Sequence, residues 1–386
     1  MSAGRRLLCG LHRCRTGSGA APAAAPLLVR AAALVAVGIV AGVVAGVAEA
    51  QAATIRTPVS YRSWDFEDSL GTATVSQFLA PVHVSLALSP QVSLFLQTGV
   101  QHDTAERDSS LSLSGASDTR AALSVTLFDG RLVAHGGVNA PTGLRELDPE
   151  AHLVAASLAP PYLGFRQRQP GRGLDLGAGL SVALPLSERF AIGAGAGYVH
   201  HGKYTPLEGG GEIRPGAELS FNAGLDARFG STLLRLDGTR RTYEEDESPG
   251  LVYEEPPSWE GSLAVRSGEE GWRFEGLGYV LRKEEASVGL TAYDGWYYGG
   301  GLAARRDLGR RLSVGLGVEG VSFRDDEEGA EQFTASALGG GPILFLRPAS
   351  SVDVELRAFA LRGEIDGDDL DGWDFRLTWT VFTGGD

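Results

Sequence analysis

Charged side chains recur at every second position in several apolar stretches of the chain. An extended backbone would place them on one face, where carboxylates and guanidiniums can filter solutes in a water-filled space or pair across strands. For most single residues we favour the pairing role. The candidates for such a lumen-facing surface are Asp175, Glu218, Asp226, Arg228, Arg235, Asp237, Glu260, Arg266, Arg273, Glu275, Asp353, Glu355, Arg357, Asp374 and Arg376.

Residue types that support catalysis are present but do not form a catalytic pattern. His200 and His201 are adjacent, and neighbours in a strand point to opposite faces, so the pair is poorly suited to chelating one metal. No G-x-S-x-G nucleophile motif occurs. Both cysteines, Cys9 and Cys14, precede a predicted cleavage site, so the mature chain has no thiolate chemistry. We predict no catalytic residues and no enzyme, with an outer-membrane enzyme as the second alternative function.

Acidic clusters are the other chemically distinctive feature. Carboxylate oxygens are the ligands that calcium and magnesium prefer, but the DGDDLDG stretch lacks the spacing of an EF-hand loop. Solvated surface charge is the favoured interpretation, and no cofactor is predicted beyond divalent cations at such loops. The net charge of −14 disfavours nucleic acid as a partner. The weak candidates for a cation site are Asp366, Asp368, Asp369 and Asp371.

The elements that would position these residues are long strands. Apolar side chains alternate with polar ones through Gly173–Pro185, Ala217–Phe229, Val352–Ala360 and Trp373–Val381. Strands of soluble proteins usually run about 5–6 residues, whereas a tilted strand needs about 9–11 to cross a bilayer. The alternation therefore favours a transmembrane sheet over a soluble sandwich or solenoid.

Connections of two lengths separate these strands. Short turns at one end and long loops at the other are typical of outer-membrane barrels. The short ones are Ser89–Pro90, Asp129–Gly130, Ser187–Glu188, Gly230–Ser231, Gly309–Arg310 and Pro348–Ser351. The long ones are Asp103–Ser117, Pro141–Arg172, His201–Pro215, Glu244–Pro257, Glu284–Asp294, Arg324–Glu331 and Glu364–Asp371. The pattern predicts an all-β, antiparallel up-and-down barrel of about 16 strands starting at Thr54–Phe66, with 14 strands as the alternative.

The first 50 residues have the composition of an export signal. Five arginines precede the apolar run AAALVAVGIVAGVVAGVAEA, and Ala48-Glu49-Ala50 fits the small-x-small cleavage pattern. An uncleaved membrane anchor is the alternative. We expect a signal peptide at residues 1–50 and one barrel domain at 51–386, located in the outer membrane of a Gram-negative cell. Its expected partners are outer-membrane lipid, lipopolysaccharide, the barrel-assembly machinery and small solutes; no oligomeric state is predicted.

Two local patterns concern the interior of this barrel. Asp148 is a good N-cap and Pro149 suits a first helical position, which predicts one short helix inside the long loop. Glycines replace side chains on one strand face, and we expect any plug or constriction to pack against them. This glycine patch consists of Gly177, Gly179, Gly193, Gly195 and Gly197.

Aromatic residues cluster towards the predicted strand ends, where the interfacial girdle of a membrane barrel lies. Ordinary core packing is the alternative. The residues concerned are Trp259, Trp272, Trp296, Tyr297, Tyr298, Trp373 and Trp379.

Two stretches carry a resemblance to a known family. GGVNAPTG at Gly136–Gly143 runs from a strand into a Pro-Thr-Gly loop, and the glycine-rich hairpin of Gly173–Gly202 follows. Together with the signal peptide, this resembles the phenol-degradation MetA-pathway family of outer-membrane barrels over about half of the chain. The resemblance implies a channel or transporter for small solutes, including hydrophobic or aromatic compounds. A structural or surface-interaction barrel with a filled lumen and acidic loops is the alternative.

Overall fold

The structure is a computed structural model in which residues 52–68, 71–166, 171–248, 253–269, 271–284, 295–325 and 333–383 are described. The predicted signal peptide lies outside these residues. No helix among them is long and apolar enough to span a bilayer.

Nineteen strands account for most of the described chain. They are β1 (Ala52–Asp68), β2 (Gly71–Ala87), β3 (Val92–Glu106), β4 (Ser110–Ala116), β5 (Thr119–Leu127), β6 (Leu132–Ala140), β7 (Asp175–Pro185), β8 (Phe190–His201), β9 (Glu218–Phe229), β10 (Thr232–Tyr243), β11 (Glu245–Asp246), β12 (Tyr253–Glu254), β13 (Ser258–Glu269), β14 (Trp272–Lys283), β15 (Gly295–Asp307), β16 (Leu312–Asp325), β17 (Thr334–Ala349), β18 (Val352–Ile365) and β19 (Asp368–Thr383).

Antiparallel pairing closes these strands into a barrel, because β1 pairs with both β2 and β19. β4 and β5 pair with successive parts of β3, so they are two halves of one wall strand interrupted at Ser117 and Asp118. β11 and β12 form a separate small hairpin. The wall therefore has 16 strands, which confirms the predicted fold class and strand number; the alternative of 14 is wrong.

The predicted turns mark the strand junctions, but two predicted loops are wrong. Asp103–Ser117 is mostly strand, since β3 continues to Glu106 and β4 starts at Ser110. Glu364–Asp371 is also mostly strand and contains only a tight turn at Asp366 and Gly367, both with positive φ. These strand ends can carry acidic residues because they extend to the solvated rim of the barrel. Most of Glu284–Asp294 and Arg324–Glu331 lies outside the described residues.

The cross-strand register keeps one set of side chains inside around the whole ring. Side chains alternate between faces, and directly paired residues share a face. Arg62 pairs with Asp374, and the register carries this face round to the charged pair of Arg235 and Asp226. The opposite face exposes large apolar side chains, such as Leu176, Leu236 and Leu316. Closure leaves no ladder edge unpaired in lipid, as a spanning sheet requires.

The described part of the long connection between β6 and β7 folds into the barrel. It contains helix α1 (Pro149–Ser157) and a 3-10 turn (Pro161–Leu163). The Asp148 side chain accepts a hydrogen bond from Ala151 N at 2.8 Å, with Pro149 in the first turn, so the predicted helix and its cap are confirmed. We call its described residues, 141–166 and 171–172, the folded-in loop.

Apolar packing holds the folded-in loop against one side of the interior. Val154, Leu158 and Tyr162 are buried in a cluster with inward side chains of β1 to β4 and of β15 to β19. Helix α1 contacts β3 and β4, while the 3-10 turn contacts β16 and β17. The interior consequently has one side filled by the loop and another side on which inward side chains are exposed. Inward side chains of β9 and β10, such as Asn222 and Arg235, are exposed.

Asp118 connects the two ends of this loop by hydrogen bonds. Its carboxylate accepts hydrogen bonds from Gly143 N at 2.9 Å and from Arg172 N at 2.8 Å. It also accepts one from the Asn139 side chain at 3.0 Å. The break between β4 and β5 thus turns Asp118 towards backbone N–H groups at both ends of the loop.

We predict that Asp118→Ala removes the hydrogen bonds that hold both ends of the folded-in loop. A hydrogen bond to a charged group contributes roughly 1.5 kcal/mol or more, so the amides of Gly143 and Arg172 should exchange at least about tenfold faster. Hydrogen–deuterium exchange of peptides covering these residues measures the effect. Glu188→Ala, which removes an exposed carboxylate in a short turn, is the control. Unchanged exchange in Asp118→Ala would contradict the clamp.

Candidate functional site

Four charged side chains form a network across part of the lumen. Arg62 of β1 lies 2.6 Å from Glu319 of β16 and 2.5 Å from Asp374 of β19, measured between guanidinium nitrogen and carboxylate oxygen. Arg376 contacts the same two carboxylates, at 2.8 and 2.7 Å. Asp374 is buried. Mutual pairing is what makes such burial tolerable, because an unpaired charge would keep its full desolvation cost.

The network also holds the folded-in loop. The Leu163 carbonyl accepts hydrogen bonds from Trp64 Nε1 at 2.8 Å and from Arg62 at 3.2 Å. The next residue, Gly164, has φ of +66°, and a Cβ there would overlap the Arg62 guanidinium. Glycine is needed at this position on both counts. The loop and the charge network therefore form one structural unit.

A cavity of about 590 Å³ lies beside this unit. Its apolar side includes Leu277, Tyr279 and Phe359. Its charged lining contains more guanidiniums than carboxylates, in contrast to the acidic chain as a whole. The charged lining residues are Arg62, Arg166, Arg266, Arg357, Arg376, Glu275 and Glu319.

Arg166 is the cation of this cavity that belongs to the folded-in loop. Its backbone N–H donates to Gln77 Oε1 at 2.9 Å, which fixes the loop beside β2. No carboxylate of the described residues lies within ion-pair distance of its side chain. Protein atoms crowded around the guanidinium, together with the charge of Arg376, lower the pKa of Arg166, although the residue as a whole is exposed. The side chain stays cationic at neutral pH and is available to a solute.

The structure places all the sequence-derived charged candidates on the inward face, and most of them are paired. Asp226 contacts Arg235 at 2.7 Å, and Glu260 contacts Arg241 at 3.0 Å. Other pairs are Asp175–His201, Glu218–Arg241, Arg273–Asp307, Glu275–Arg305, Asp353–Arg347, Glu355–Arg357 and Asp374–Arg376. Arg228 and Arg266 have no described carboxylate in ion-pair range, and Asp237 is exposed. Most of these charges brace the wall, while few remain free for solutes.

The glycine patch lies on the inward face of β7 and β8, away from the folded-in loop. The expectation that a plug packs against it is wrong, because the loop's apolar residues find their partners on the opposite wall. At Gly179 an added Cβ would meet His135 Nε2 at 2.5 Å, so this glycine gives room to a neighbouring ring. At Gly177 the nearest atoms are 3.6 Å away. A side chain at Gly177 would therefore meet no atom closer than ordinary contact distance.

Sequence reasoning missed Arg62, Arg166, Glu319 and Arg305. Arg62 is followed on the same strand face by Trp64 and Phe66, so the sequence pattern does not indicate a polar face there. Glu319 stands alone in a glycine and valine run, and Arg305 is next to Arg306, which hides the alternation. Arg166 lies in a loop, where no periodicity applies.

One further expectation needs correction. Tyr297 is not part of the girdle: it is buried inside, with its ring centroid 4.5 Å from that of Phe323. For the weak cation candidates at the β18–β19 turn, the described residues contain no group of three or more potential ligands, and the cation site stays a prediction. Asp368, Asp369 and Asp371 lie in β19, where successive side chains point to opposite faces.

Comparison with solved structures finds outer-membrane proteins. OpdQ of Pseudomonas aeruginosa aligns with a TM-score of 0.45 and 8% identity, over 86% of this chain and 98% of that one. A BenF-like porin from Pseudomonas fluorescens Pf-5 gives 0.44 and 9%, over 86% and 99%. The loop L8 deletion mutant of OmpT from Vibrio cholerae gives 0.41 and 12%, over 86% and 100%. At these values the likenesses carry no argument about function.

A comparison with protein-family models finds no match, and neither does a comparison with curated proteins.

We predict that Tyr162→Ala undocks the 3-10 turn from the wall. The Tyr162 ring packs 5.9 Å from Phe323 and 5.8 Å from Phe333, between centroids, and truncating a buried aromatic costs about 3 kcal/mol or more. Planar-bilayer recordings should show higher mean conductance and more current noise. Tyr198→Ala, on the exposed outer face, is the matched control. Equal conductance in the two variants would contradict a lumen narrowed by this turn.

Proposed function

We propose that the chain is a passive outer-membrane channel for small solutes. The division of its lumen carries this proposal: the folded-in loop fills one side, while exposed polar side chains and part of the glycine patch line the other. A plugged barrel would bury its inward charges on all sides. Here inward Arg235 and Asp237 are exposed although they point away from lipid, as a water-filled path requires.

The preferred solutes in this proposal are small anions with an apolar body. Guanidiniums outnumber carboxylates in the cavity lining, and Arg166 lacks a described ion-pair partner. Leu277, Tyr279 and Phe359 offer an apolar surface opposite that charge. Arginine binds carboxylates and phosphates through paired hydrogen bonds. An aromatic carboxylate would satisfy both sides, which also accords with the resemblance to the MetA-pathway barrels.

Outer-membrane location follows from the same reasoning. An exposed apolar face around a closed ladder is suited to lipid, and bilayer-spanning barrels of this size occur in outer membranes. Export by the predicted signal peptide and insertion by the barrel-assembly machinery belong to this proposal. Catalysis does not.

Anion preference depends on the cavity arginines, so we predict that Arg166→Glu lowers it. The exchange replaces the unpaired cation with an anion beside Glu319 and Glu275. Reversal potentials across a bilayer with a KCl gradient should shift towards cation permeability severalfold.

Arg189→Glu makes the same charge change in an exposed short turn and should leave the reversal potential unchanged. Equal shifts in both variants would show that only overall charge matters. A wild-type barrel that never conducts would overturn the channel itself.

The open side of the lumen should be narrowed by Gly177→Phe. An added side chain there meets nothing closer than ordinary contact and projects inward. We expect lower conductance, with the folded barrel retained. Ala178→Phe, which projects outward from the same strand, is the control and should conduct like the wild type. If Gly177→Phe conducts normally, the path does not pass the glycine patch.

A further inference from the structure

Arginine and tryptophan alternate in one row on the outer face of the barrel. The register pairs Arg240 with Trp259, Trp259 with Arg282, Arg282 with Trp296, and Trp296 with Arg324. The row crosses five neighbouring wall strands, β10 and β13 to β16. All five side chains have the parity of the apolar, lipid-facing surface, opposite to the inward charges. These arginines therefore serve no lumen function.

The rings and guanidiniums of this row are in contact. The Arg240 Cζ lies 4.5 Å from the centroid of the Trp259 ring, and the Arg282 Cζ lies 5.0 Å from that of Trp296. Glu284 accepts a hydrogen bond from Trp259 Nε1 at 3.2 Å, so one carboxylate borders the middle of the row. Among the described residues, no carboxylate is in ion-pair range of Arg240 or Arg324, at the two ends. Stacking orients the Arg240 and Arg282 guanidiniums, and it leaves the charge of Arg240 in place.

The row lies at the membrane boundary on the side of the long loops. On β14, Arg282 is about ten residues from Trp272, the outward aromatic at the short-turn end. At about 3.3 Å per residue and a tilt of about 40°, these levels are about 25 Å apart along the barrel axis. That matches the apolar band of a membrane barrel. The arginines consequently meet the headgroups of one leaflet.

An apolar groove of about 660 Å³ lies directly below the row, on the same strands. Gly278 is on the outer face four positions before Arg282, and no atom lies within 4 Å of a Cβ added there. Packing within the chain gives no reason for glycine at that position. The outward side chains of the groove are Leu263, Val265, Phe274, Leu302, Ala304, Leu316 and Val318.

We propose that this face is a binding site for a lipid whose headgroup carries phosphate, in the leaflet beside the long loops. The phosphates contact Arg240 and Arg324, and an acyl chain occupies the groove past Gly278. Guanidinium forks match phosphate oxygens, and tryptophan rings favour the headgroup boundary. The site goes beyond the proposed channel function, because it uses the opposite face of the wall.

Native mass spectrometry of the purified barrel in neutral detergent tests this site, with lipid A as the probe. Wild type should retain lipid A and should bind phosphatidylcholine much more weakly. Arg240→Gln/Arg324→Gln should weaken retention about 30-fold, since each arginine near a lipid headgroup contributes roughly a fivefold effect. Gly278→Leu, which fills the groove without changing charge, should also weaken it. Arg306→Gln, at the Trp272 end, is the matched control and should bind like the wild type.

Each of these binding measurements supports or overturns one part of the proposed lipid site. Undiminished retention in Arg240→Gln/Arg324→Gln, or equal binding of phosphatidylcholine, would overturn the phosphate contact. Displacement of lipid A by inorganic phosphate alone would overturn the acyl groove. Circular dichroism checks that each variant is folded. Conductance should be unchanged in all of them, so the lipid site and the channel can fail separately.

Discussion

Closure of the hydrogen-bonded ladder is the constraint on which the rest of this structure depends. With β1 bound to β19, every wall strand has two neighbours, and the register fixes which residues face inward. A slip of one residue would turn a whole row of carboxylates and guanidiniums towards lipid. An arginine at the bilayer midplane costs roughly 2–4 kcal/mol. Lipid therefore enforces the register, and the register creates the polar lumen.

Inside that ring, the charge network and the folded-in loop stabilise each other. Arg62 neutralises Asp374 and donates to the Leu163 carbonyl, so one guanidinium joins the wall to the loop. The apolar loop residues then cover the network and exclude water from one side. Because the cover is one-sided, inward side chains of β9 and β10 stay exposed. Structural bracing and the proposed passage of solutes thus occupy different sectors of one lumen.

The two faces of the wall give the same residue types different roles. Inward arginines such as Arg235 pair with carboxylates in water, whereas outward Arg240 stacks on a tryptophan at the edge of the apolar band. Glycine differs in the same way: Gly179 gives room to a histidine ring inside, and Gly278 leaves a gap outside. Strand parity alone distinguishes these cases.

The sequence by itself determined the barrel, its strand number, the short turns and the helix cap at Asp148. These follow from period-two alternation, turn residues and capping, which act over a few residues. Only the tertiary structure decided where the folded-in loop packs, and that Arg62, Glu319 and Asp374 meet. Those contacts join residues hundreds of positions apart, and no local pattern specifies them. The same holds for the arginine and tryptophan row: each member is visible in the sequence, but only the register of five strands aligns them.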